Sequence, residues 1–372
     1  MKKRHLILAG LWVALPGLAQ TKPAPAAEPA IIAASSKSPD SNPVRIIEMR
    51  GDGADLGQAH GLALGPAIHA LDDQYLGKML PDPLSRSLAD MAAMTFESKL
   101  RPEHLQEIRA LAAAAHMNEG EAMLANCFLD MLPMVACSTM TLPADAAPDH
   151  VARFARNLDF DSFDIADKSS VVLVYHPTDR YAFATIGWPG MIGALSGMNE
   201  FGLALCNMEV SRPLGLPHAM PYALLYRSVL EHCKNVDEAI TFLQNTPRQT
   251  ANNLMLMDAA GNRAVVELTP EQVVVRHGQA GTALISTNHQ RGQDTDTPGR
   301  CDRYDYLNTS AHQLYGKIGQ PQLITMLEHV QQQGLTMQSM IFEPANRVIY
   351  LATGSRAPER KFVKLDFKAY FK

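Results

Sequence analysis

The sequence predicts an α+β protein in which antiparallel sheets are covered by helices. Helical periodicity dominates from residue 44 to about residue 132, short β-type runs dominate after Cys137, and helical blocks return only twice after that. Strands and helices do not alternate regularly, as they would in a doubly wound parallel sheet. The 372 residues, 47% hydrophobic and 19% charged, are enough for one large domain or two ordinary ones.

The amino terminus has the pattern of an export signal. Basic residues at positions 2 to 4 precede an apolar run from Leu6 to Leu15, and Ala19 provides a small residue before Gln20. This pattern predicts a cleaved signal peptide at residues 1–19 and a periplasmic or secreted protein. An uncleaved helix that tethers the protein is the alternative. Residues 20–43, rich in Ala, Pro and Ser, cannot build a core and are predicted to form a disordered linker.

Helical periodicity defines residues 44–136. The region opens with a short predicted strand, and Pro102 and Gly120 mark the starts of two later helices. The sequence therefore predicts a helical subdomain, with a strand over residues 45–50 and helices over 54–76, over 84–100, from 102 onward and after 120.

Residues 137–372 are predicted to form the sheets. Ten short β-type runs are separated by turn signals such as Asn199-Glu-Phe-Gly202. Helical periodicity returns over residues 222–243 and roughly 302–333. The predicted strands cover residues 151–160, 171–175, 181–186, 202–208, 254–257, 264–268, 273–276, 282–286, 339–342 and 348–352.

Charge and motif content exclude several kinds of partner. The chain has 33 basic and 38 acidic residues, and loss of residues 1–19 would bring the net charge to about −8, which argues against nucleic acid as a partner. After the predicted signal peptide, no stretch reaches the ~18 uncharged apolar residues that a stable membrane span needs. No His or Cys spacing is typical of a metal site, and neither a metal nor a cofactor is predicted.

Cys137 is the candidate nucleophile, because it stands where the helical periodicity ends and the short β-type runs begin. A thiol attacks an acyl carbon as the thiolate and needs a base at neutral pH. Cleavage of the bond between Ala136 and Cys137 would give Cys137 an α-amine of pKa about 7.7 to 8.0, so nucleophile and base would share one residue. A buried, inert thiol is the alternative. The five cysteines form an odd set, and any pairing among Cys127, Cys206, Cys233 and Cys301 stays open.

Arg156-Asn-Leu-Asp159 supplies charges that suit this chemistry. An Arg beside a thiol favours the thiolate, and an Asp beside an α-amine holds it. Strand alternation puts Arg156 and Asp159 on opposite faces, although both could reach one pocket where a strand ends. The alternative is a surface ion pair.

These motifs resemble those of the N-terminal nucleophile amidases, a group that includes isopenicillin N acyltransferase, choloylglycine hydrolase, acid ceramidase and N-acylethanolamine acid amidase. Cys137-Ser-Thr and Arg156-Asn-Leu-Asp159 carry the resemblance, although the acyltransferase branch often has Gly where this chain has Ala136. Further strings follow in the family's order: Arg50-Gly51, Leu56-Gly57-Gln-Ala-His60-Gly61, Gly197-Met-Asn199-Glu-Phe-Gly202, Val236-Asp-Glu-Ala239, Thr287-Asn288-His289, Arg303-Tyr304 and Ser339-Met-Ile-Phe-Glu-Pro344.

The resemblance implies a four-layer αββα fold of two stacked antiparallel sheets between helices. It also implies self-cleavage at Ala136–Cys137, with residues 44–136 retained as a light chain and residues 137–372 as the catalytic chain. Asn207 and Asn288 match the positions that stabilise a tetrahedral oxyanion. Arg303 matches the family's later pocket arginine, although Arg300 could take its place.

The function expected on this basis is hydrolysis of a linear, N-acyl amide through a Cys137 thioester. Acyl transfer of the isopenicillin N acyltransferase type is one alternative, and a non-catalytic periplasmic protein that binds acyl compounds is another. The expected partners are a small N-acyl amide substrate and the two chains of the precursor. Trp188, Met191 and Met198 could line an acyl pocket, although scattered Met and aromatic side chains more often fill a core.

Overall fold

Two β-sheets stacked face to face occupy the centre of the structure. The computed structural model describes the backbone of residues 30–33 and all of residues 44–131, 136–210, 219–292 and 300–372. The predicted signal peptide and most of the predicted linker lie outside these residues. The strands are β1 (Ala30–Ala33), β2 (Arg45–Gly51), β3 (Ala136–Leu142), β4 (Arg153–Asp159), β5 (Val171–Pro177), β6 (Phe183–Gly187), β7 (Ser196–Asn199), β8 (Ala204–Glu209), β9 (Asn252–Met257), β10 (Arg263–Leu268), β11 (Val273–His277), β12 (Leu284–Ser286), β13 (Thr336–Glu343), β14 (Val348–Thr353) and β15 (Val363–Asp366).

Helices lie in two groups, before β3 and after β8. Pro83 and Pro102 each occupy the first position of a helix, where a missing N–H is tolerated, and Asp52 forms a capping box with Asp55. A π-helix, Asp72–Leu76, joins the first two helices. The α-helices are α1 (Gly53–Leu71), α2 (Gly77–Met79), α3 (Pro83–Met94), α4 (Pro102–Ala115), α5 (Glu119–Met131), α6 (Tyr222–His232), α7 (Val236–Gln244), α8 (Asp302–Gln313) and α9 (Gln320–Val330).

The elements form the four layers α, β, β, α that the family resemblance implies. One sheet has the order β1-β2-β5-β6-β7-β8-β9-β10-β11, and the other has the order β12-β3-β4-β13-β14-β15. The two sheets meet where β3 contacts β8 and β10 contacts β12. Helices α1, α6 and α7 pack on the outer face of the first sheet, and α8 and α9 pack on the second. Strands β4 to β10 are buried almost throughout, because both faces of each sheet are covered.

The structure differs from the predicted elements in a few places. Ala30–Ala33 pairs with β2 as an edge strand, so the prediction of a disordered linker is wrong for these four residues, which include the β-branched Ile31 and Ile32. The pair β2 and β5 is parallel, whereas the other pairs among the described strands are antiparallel. Of the described helices, none has both the length and the apolar character needed to cross a bilayer.

Candidate active site

Cys137 lies at the start of β3, in the interior of the six-stranded sheet. Strand β3 pairs with β4 on one side and with β12 on the other, and the Cys137 side chain is fully buried between the two sheets. Its Sγ accepts a hydrogen bond from Arg156 Nη2 at 3.3 Å. Burial raises the pKa of the Cys137 thiol, and the Arg156 cation opposes that rise. In the uncut chain the thiol is therefore protonated at neutral pH and requires a base.

The backbone of Cys137 is held by two other predicted residues. Its N–H donates to Asn288 Oδ1 at 2.7 Å, and its carbonyl oxygen accepts from Arg303 Nη1 at 2.6 Å. Arg303 Nη2 also donates to Asn288 Oδ1, at 3.0 Å, while Asn288 Nδ2 donates to the carbonyl oxygen of Glu209. Asn288 thus presents its carbonyl oxygen to the nitrogen that cleavage would convert into the α-amine.

Asp159 lies opposite Ala136 in the β3–β4 pairing, beside the predicted cleavage point. Its carboxylate accepts from Thr336 Oγ1 at 2.5 Å and lies 3.5 Å from Arg303 Nη1. Burial raises the pKa of Asp159 to about 7, an effect that the Thr336 hydrogen bond opposes. The pairing of β13 with β4 slips by one residue between Thr336 and Gln338, and this bulge lies at the end of β4, where a bulge commonly redirects side chains.

Arg156 and Asn207 complete the site from the inner faces of the two sheets. Arg156 Nη1 donates to Ser196 Oγ at 2.5 Å and to the carbonyl oxygen of Leu195. Its Nη2 lies 3.5 Å from Asn207 Oδ1. Asn207 Nδ2 is buried, and within the described part of the chain it has no hydrogen-bond partner. A buried amide donor without a partner, on a side chain in contact with Arg156, is suited to meet an oxygen that a substrate brings.

An apolar cleft lies next to these residues. Leu158, which pairs with Cys137 across the sheet, and Leu195, which accepts from Arg156, form its inner end. Trp188 and Met191 line the cleft as the sequence suggested, whereas Met198 is not part of its wall. The remaining wall comes from α1, the π-helix, α5 and neighbouring loops, through Ile68, Leu71, Asp72, Tyr75, Leu76, Met117, Ala125, Phe128, Leu129, Phe160, Ala166 and Pro189.

The structure brings together all six residues that the sequence singled out. Arg303 reaches the site, whereas Arg300 lies outside it, with 83% of its side chain exposed and paired with Asp302. The alternative of a surface ion pair between Arg156 and Asp159 is wrong, because both side chains are fully buried. All five cysteines are free and buried. Sequence reasoning missed Thr336 and Ser196, which carry no local signal and reach the site only through strand pairing.

Comparison with known protein families gives a match over residues 147–358, more than half of the chain, to the acyl-coenzyme A:6-aminopenicillanic acid acyl-transferase family. The chain belongs to this acyl-transferase family. The family relationship confirms the resemblance seen in the sequence and identifies the chain as a relative of acyltransferases. The matched range includes five of the six predicted site residues and begins after Cys137, so the assignment of the nucleophile depends on the geometry described above.

Individual relatives of this acyl-transferase family member are distant. The chain is 22% identical over 238 residues to protein dcd1B of Dictyostelium discoideum, a match that covers 57% of this chain and 47% of that protein. It is 23% identical over 248 residues to protein dcd1A of the same organism, covering 56% of this chain and 55% of that protein. The chain thus spans about half the length of the curated relatives that it matches.

Solved structures with a similar arrangement are also distant in sequence. The Caenorhabditis elegans ortholog of N-acylethanolamine-hydrolyzing acid amidase is 15% identical, with a TM-score of 0.46, and the match covers 56% of this chain and 93% of that one. A mutant form of the conjugated bile acid hydrolase from Clostridium perfringens is 15% identical, with a TM-score of 0.46 and coverage of 63% and 93%. Penicillin V acylase from Agrobacterium tumefaciens is 16% identical, with a TM-score of 0.44 and coverage of 62% and 86%.

Proposed function

We propose that this protein is an exported, self-cleaving amidase that hydrolyses N-acyl amides through a Cys137 thioester. One observation carries the proposal: three groups converge on a single residue. Asn288 holds the Cys137 backbone nitrogen, Arg303 holds its carbonyl oxygen and Arg156 contacts its thiol. An inert structural thiol needs no guanidinium beside it in a buried position, because a buried Cys behaves as a small apolar side chain.

Self-cleavage begins with attack of Cys137 Sγ on the carbonyl carbon of Ala136. The C–N bond between the two residues breaks, a thioester forms, and the nitrogen of Cys137 gains a proton to become the α-amine. Water then hydrolyses the thioester and leaves Ala136 with a carboxylate. Asp159, which pairs opposite Ala136 and has a pKa raised to about 7 by burial, is suited to take the thiol proton and to return it to the nitrogen.

Amide turnover uses the amine that cleavage releases. The α-amine takes the thiol proton, and the thiolate attacks the acyl carbon. The protonated α-amine then gives this proton to the departing amine as the C–N bond breaks, which leaves the acyl group on Cys137 as a thioester. Water hydrolyses the thioester, releases the acyl group as an acid and restores the thiol. We assign Asn288 Oδ1 and Asp159 to holding this α-amine, and Asn207 Nδ2 to donating to the oxyanion. This division of roles gives Asn288 a different function from the oxyanion contact that the family resemblance implies.

The apolar cleft supports an acyl chain as the group that is transferred to the thiol. Its inner end at Leu158 and Leu195 lies next to the nucleophile, and its wall is formed almost entirely by aliphatic and aromatic side chains. Apolar surface contributes ~25 cal/mol per Å2 to binding such a chain. We therefore propose a substrate with an acyl chain of moderate to long length in amide linkage to a small polar amine.

Acyl transfer to an amine is the second candidate, because the matched family is named for an acyltransferase. Hydrolysis is favoured here, since an exported enzyme lacks acyl-coenzyme A in its compartment. The two activities separate when the enzyme is given an acyl amide together with a second amine. Hydrolysis yields only the free acid, whereas transfer yields the new amide.

Intact-mass analysis of the purified protein tests both the cut after Ala136 and the removal of the signal peptide. Cleavage after residues 19 and 136 gives chains of roughly 13 kDa and roughly 26 kDa, by proportion from 40.7 kDa over 372 residues. The variant Cys137→Ala should remain one chain without amidase activity, and Cys127→Ala, which removes a buried thiol in α5, should be cut and active. A cut and active Cys137→Ala protein would remove Cys137 from the mechanism. A wild-type chain that retains residues 1–19 after export would contradict the cleaved signal peptide.

A further inference from the structure

Residues 188–196, here called the strap, connect the apolar cleft to the surroundings of Cys137. Trp188, Met191 and Leu195 face the cleft. At the far end of the strap, the carbonyl oxygen of Leu195 accepts both from the Arg156 guanidinium and, at 3.1 Å, from the backbone N–H of Asn207. One displacement of the strap would therefore move the cleft wall together with Arg156, which contacts the thiol, and Asn207.

Two side chains from the region before Cys137 hold the middle of the strap. His60, on α1, accepts from the backbone N–H of Gly190 through Nε2 at 3.0 Å. Asn126, on α5, donates to the carbonyl oxygen of Gly190 at 3.0 Å and accepts from the N–H of Ile192 at 2.8 Å. The strap turns at Gly190 with φ +86°, a left-handed conformation that glycine adopts without strain.

His60 is suited to this contact because it stays neutral. It is fully buried, and burial together with the nearby Arg227 cation lowers the pKa of His60 to about 3. A neutral imidazole whose Nε2 accepts carries its proton on Nδ1, and an acceptor is what the Gly190 N–H requires. Loss of that acceptor would leave a buried backbone N–H unpaired, which is costly.

Hydrogen bonds to residues after Cys137 hold the strap at Ile192 and Ala194. The N–H of Ala194 donates to the carbonyl oxygen of Ala223 at 2.8 Å, and Arg227 Nη1 donates to the carbonyl oxygen of Ile192 at 3.1 Å. The N–H and the carbonyl oxygen of Gly190, between Trp188 and Met191 on the cleft wall, bond instead to His60 and Asn126.

We propose that His60 and Asn126 are positioning residues that set the acyl-chain selectivity of the enzyme by fixing the strap. The chain before Cys137 would then remain part of the working site after the cut, rather than serving only as a propeptide. This inference rests on the proposed amidase function for its kinetic consequence, but not for the anchoring itself.

The kinetic test compares kcat/KM for two acyl amides that differ only in chain length, acetyl and palmitoyl. In His60→Leu and Asn126→Ala we expect the palmitoyl-to-acetyl ratio to fall about tenfold, chiefly through a higher KM for palmitoyl, because the cleft wall is no longer held. His60→Gln should restore the ratio, since its Oε1 can accept from Gly190. The control is His69→Leu on the same helix, whose bond to the Ala115 carbonyl oxygen does not involve the strap. A merely structural role would reduce the amount of active enzyme and leave the ratio unchanged.

Hydrogen exchange tests the anchoring without substrate. The amides of residues 188–196 should exchange faster in His60→Leu and Asn126→Ala than in the wild type, while α4 keeps its protection. Unchanged exchange in both variants would overturn the anchoring. Faster exchange with an unchanged ratio in an active enzyme would overturn the role in selectivity. A wild-type protein that turns over no amide would contradict the proposed function. The exchange rates would still show whether His60 and Asn126 hold the strap. If His60→Leu does not fold, Asn126→Ala tests the same anchoring of the strap, through the contacts that α5 makes with Gly190 and Ile192.

Discussion

At the scale of single residues, the informative side chain is Asn207, which has a buried amide donor. It lies within β8 and is fully buried. Its Oδ1 faces Arg156, which fixes the amide so that Nδ2 points elsewhere, and that nitrogen has no partner among the described residues. An unpaired buried donor costs free energy in the resting protein. In the proposed mechanism, this cost is recovered when an oxyanion forms beside the donor.

Replacement of this donor should act on turnover rather than on substrate binding. In Asn207→Ala we expect kcat to fall about 10²- to 10³-fold, the usual effect of removing one oxyanion donor, with little change in KM. The measurement is kcat per cut enzyme, with the cut fraction counted by mass. The control is Asn157→Ala, since Asn157 is equally buried but donates to the Leu327 carbonyl oxygen on the outer side of the sheet. Equal losses of kcat in the two variants would contradict the assignment.

Residue types were easier to predict from the sequence than their relative placement. Cys137, Arg156 and Asp159 follow from the chemistry of a thiol that needs a base and a cation. Simple alternation puts Arg156 and Asp159 on opposite faces, and only the bulge opposite Asp159 shows how the strand ends. That bulge depends on the pairing of residues nearly 180 positions apart, which no local pattern encodes.

At the scale of elements, glycines on α1 set how closely this helix approaches α4. A Cβ on Gly57 would lie 2.1 Å from the carbonyl oxygen of Glu107, and one on Gly61 would lie 2.7 Å from that of Leu111. His60 lies between these glycines in the sequence, so the close approach also determines how deeply its ring reaches toward the strap. Gly65, one turn further along, has nothing nearer than 3.8 Å.

The same substitution at two positions of α1 should have opposite effects on stability. Gly57→Ala should lower the free energy of unfolding by about 1 to 3 kcal/mol, because a backbone oxygen occupies the space of the new methyl group. Gly65→Ala should raise it by up to about 1 kcal/mol, since alanine favours the helix and meets only ordinary contacts. Urea unfolding of the two variants beside the wild type measures both. Stabilisation by Gly57→Ala would show that the α1–α4 contact tolerates separation.

Helices and most strands could be predicted from periodicity, but their partners could not. The parallel pairing of β2 with β5 joins residues about 125 positions apart, and nothing in either strand specifies direction. Several strings that carry the family resemblance build the fold instead of the site. Asn199, for example, accepts from the backbone N–H groups of Phe201 and Leu203 and donates to the carbonyl oxygen of Leu230. Such a residue fixes the turn from β7 to β8.

At the scale of the whole molecule, buried charge ties the region before Cys137 to the rest. Arg227 on α6 donates to both carboxylate oxygens of Glu107 on α4, at 2.8 and 2.6 Å, and its Nε donates to Glu231 at 3.0 Å. His104 on α4 bonds Glu231 at 2.9 Å. These side chains are fully buried, so removal of one partner would leave an uncompensated charge, a change that is strongly destabilising.

Two buried carboxyl groups should each contribute less to stability as the pH rises. Burial raises the pKa of Asp130 and of Asp159 to about 7, so between about pH 4 and pH 7 each of these two groups holds its proton more tightly in the folded protein than in the unfolded chain. Their contribution to the free energy of unfolding therefore decreases across that interval. Asp130→Asn removes one of these groups, and Asn Oδ1 can still accept from the Tyr222 N–H and from Gln249.

We expect Asp130→Asn to be more stabilising at pH 8 than at pH 5, by at least about 1 kcal/mol, because the charged carboxylate is present only at the higher pH. Urea midpoints at the two pH values measure the difference. Amide turnover should be retained, since Asp130 contacts Tyr222 and Gln249 rather than Cys137. An identical effect at both pH values would mean that Asp130 ionises normally.

Strand β2 belongs to the region before Cys137, yet it lies inside the nine-stranded sheet, next to β5. The proposed cut would therefore leave a single sheet built from two polypeptides. Before the cut, the two parts find each other within one chain, and afterwards they can do so only by collision at the prevailing protein concentration. Once processed and then unfolded, such a protein would regain its structure by a second-order reaction that slows on dilution. Its durability in an extracellular setting would then depend on how slowly it unfolds.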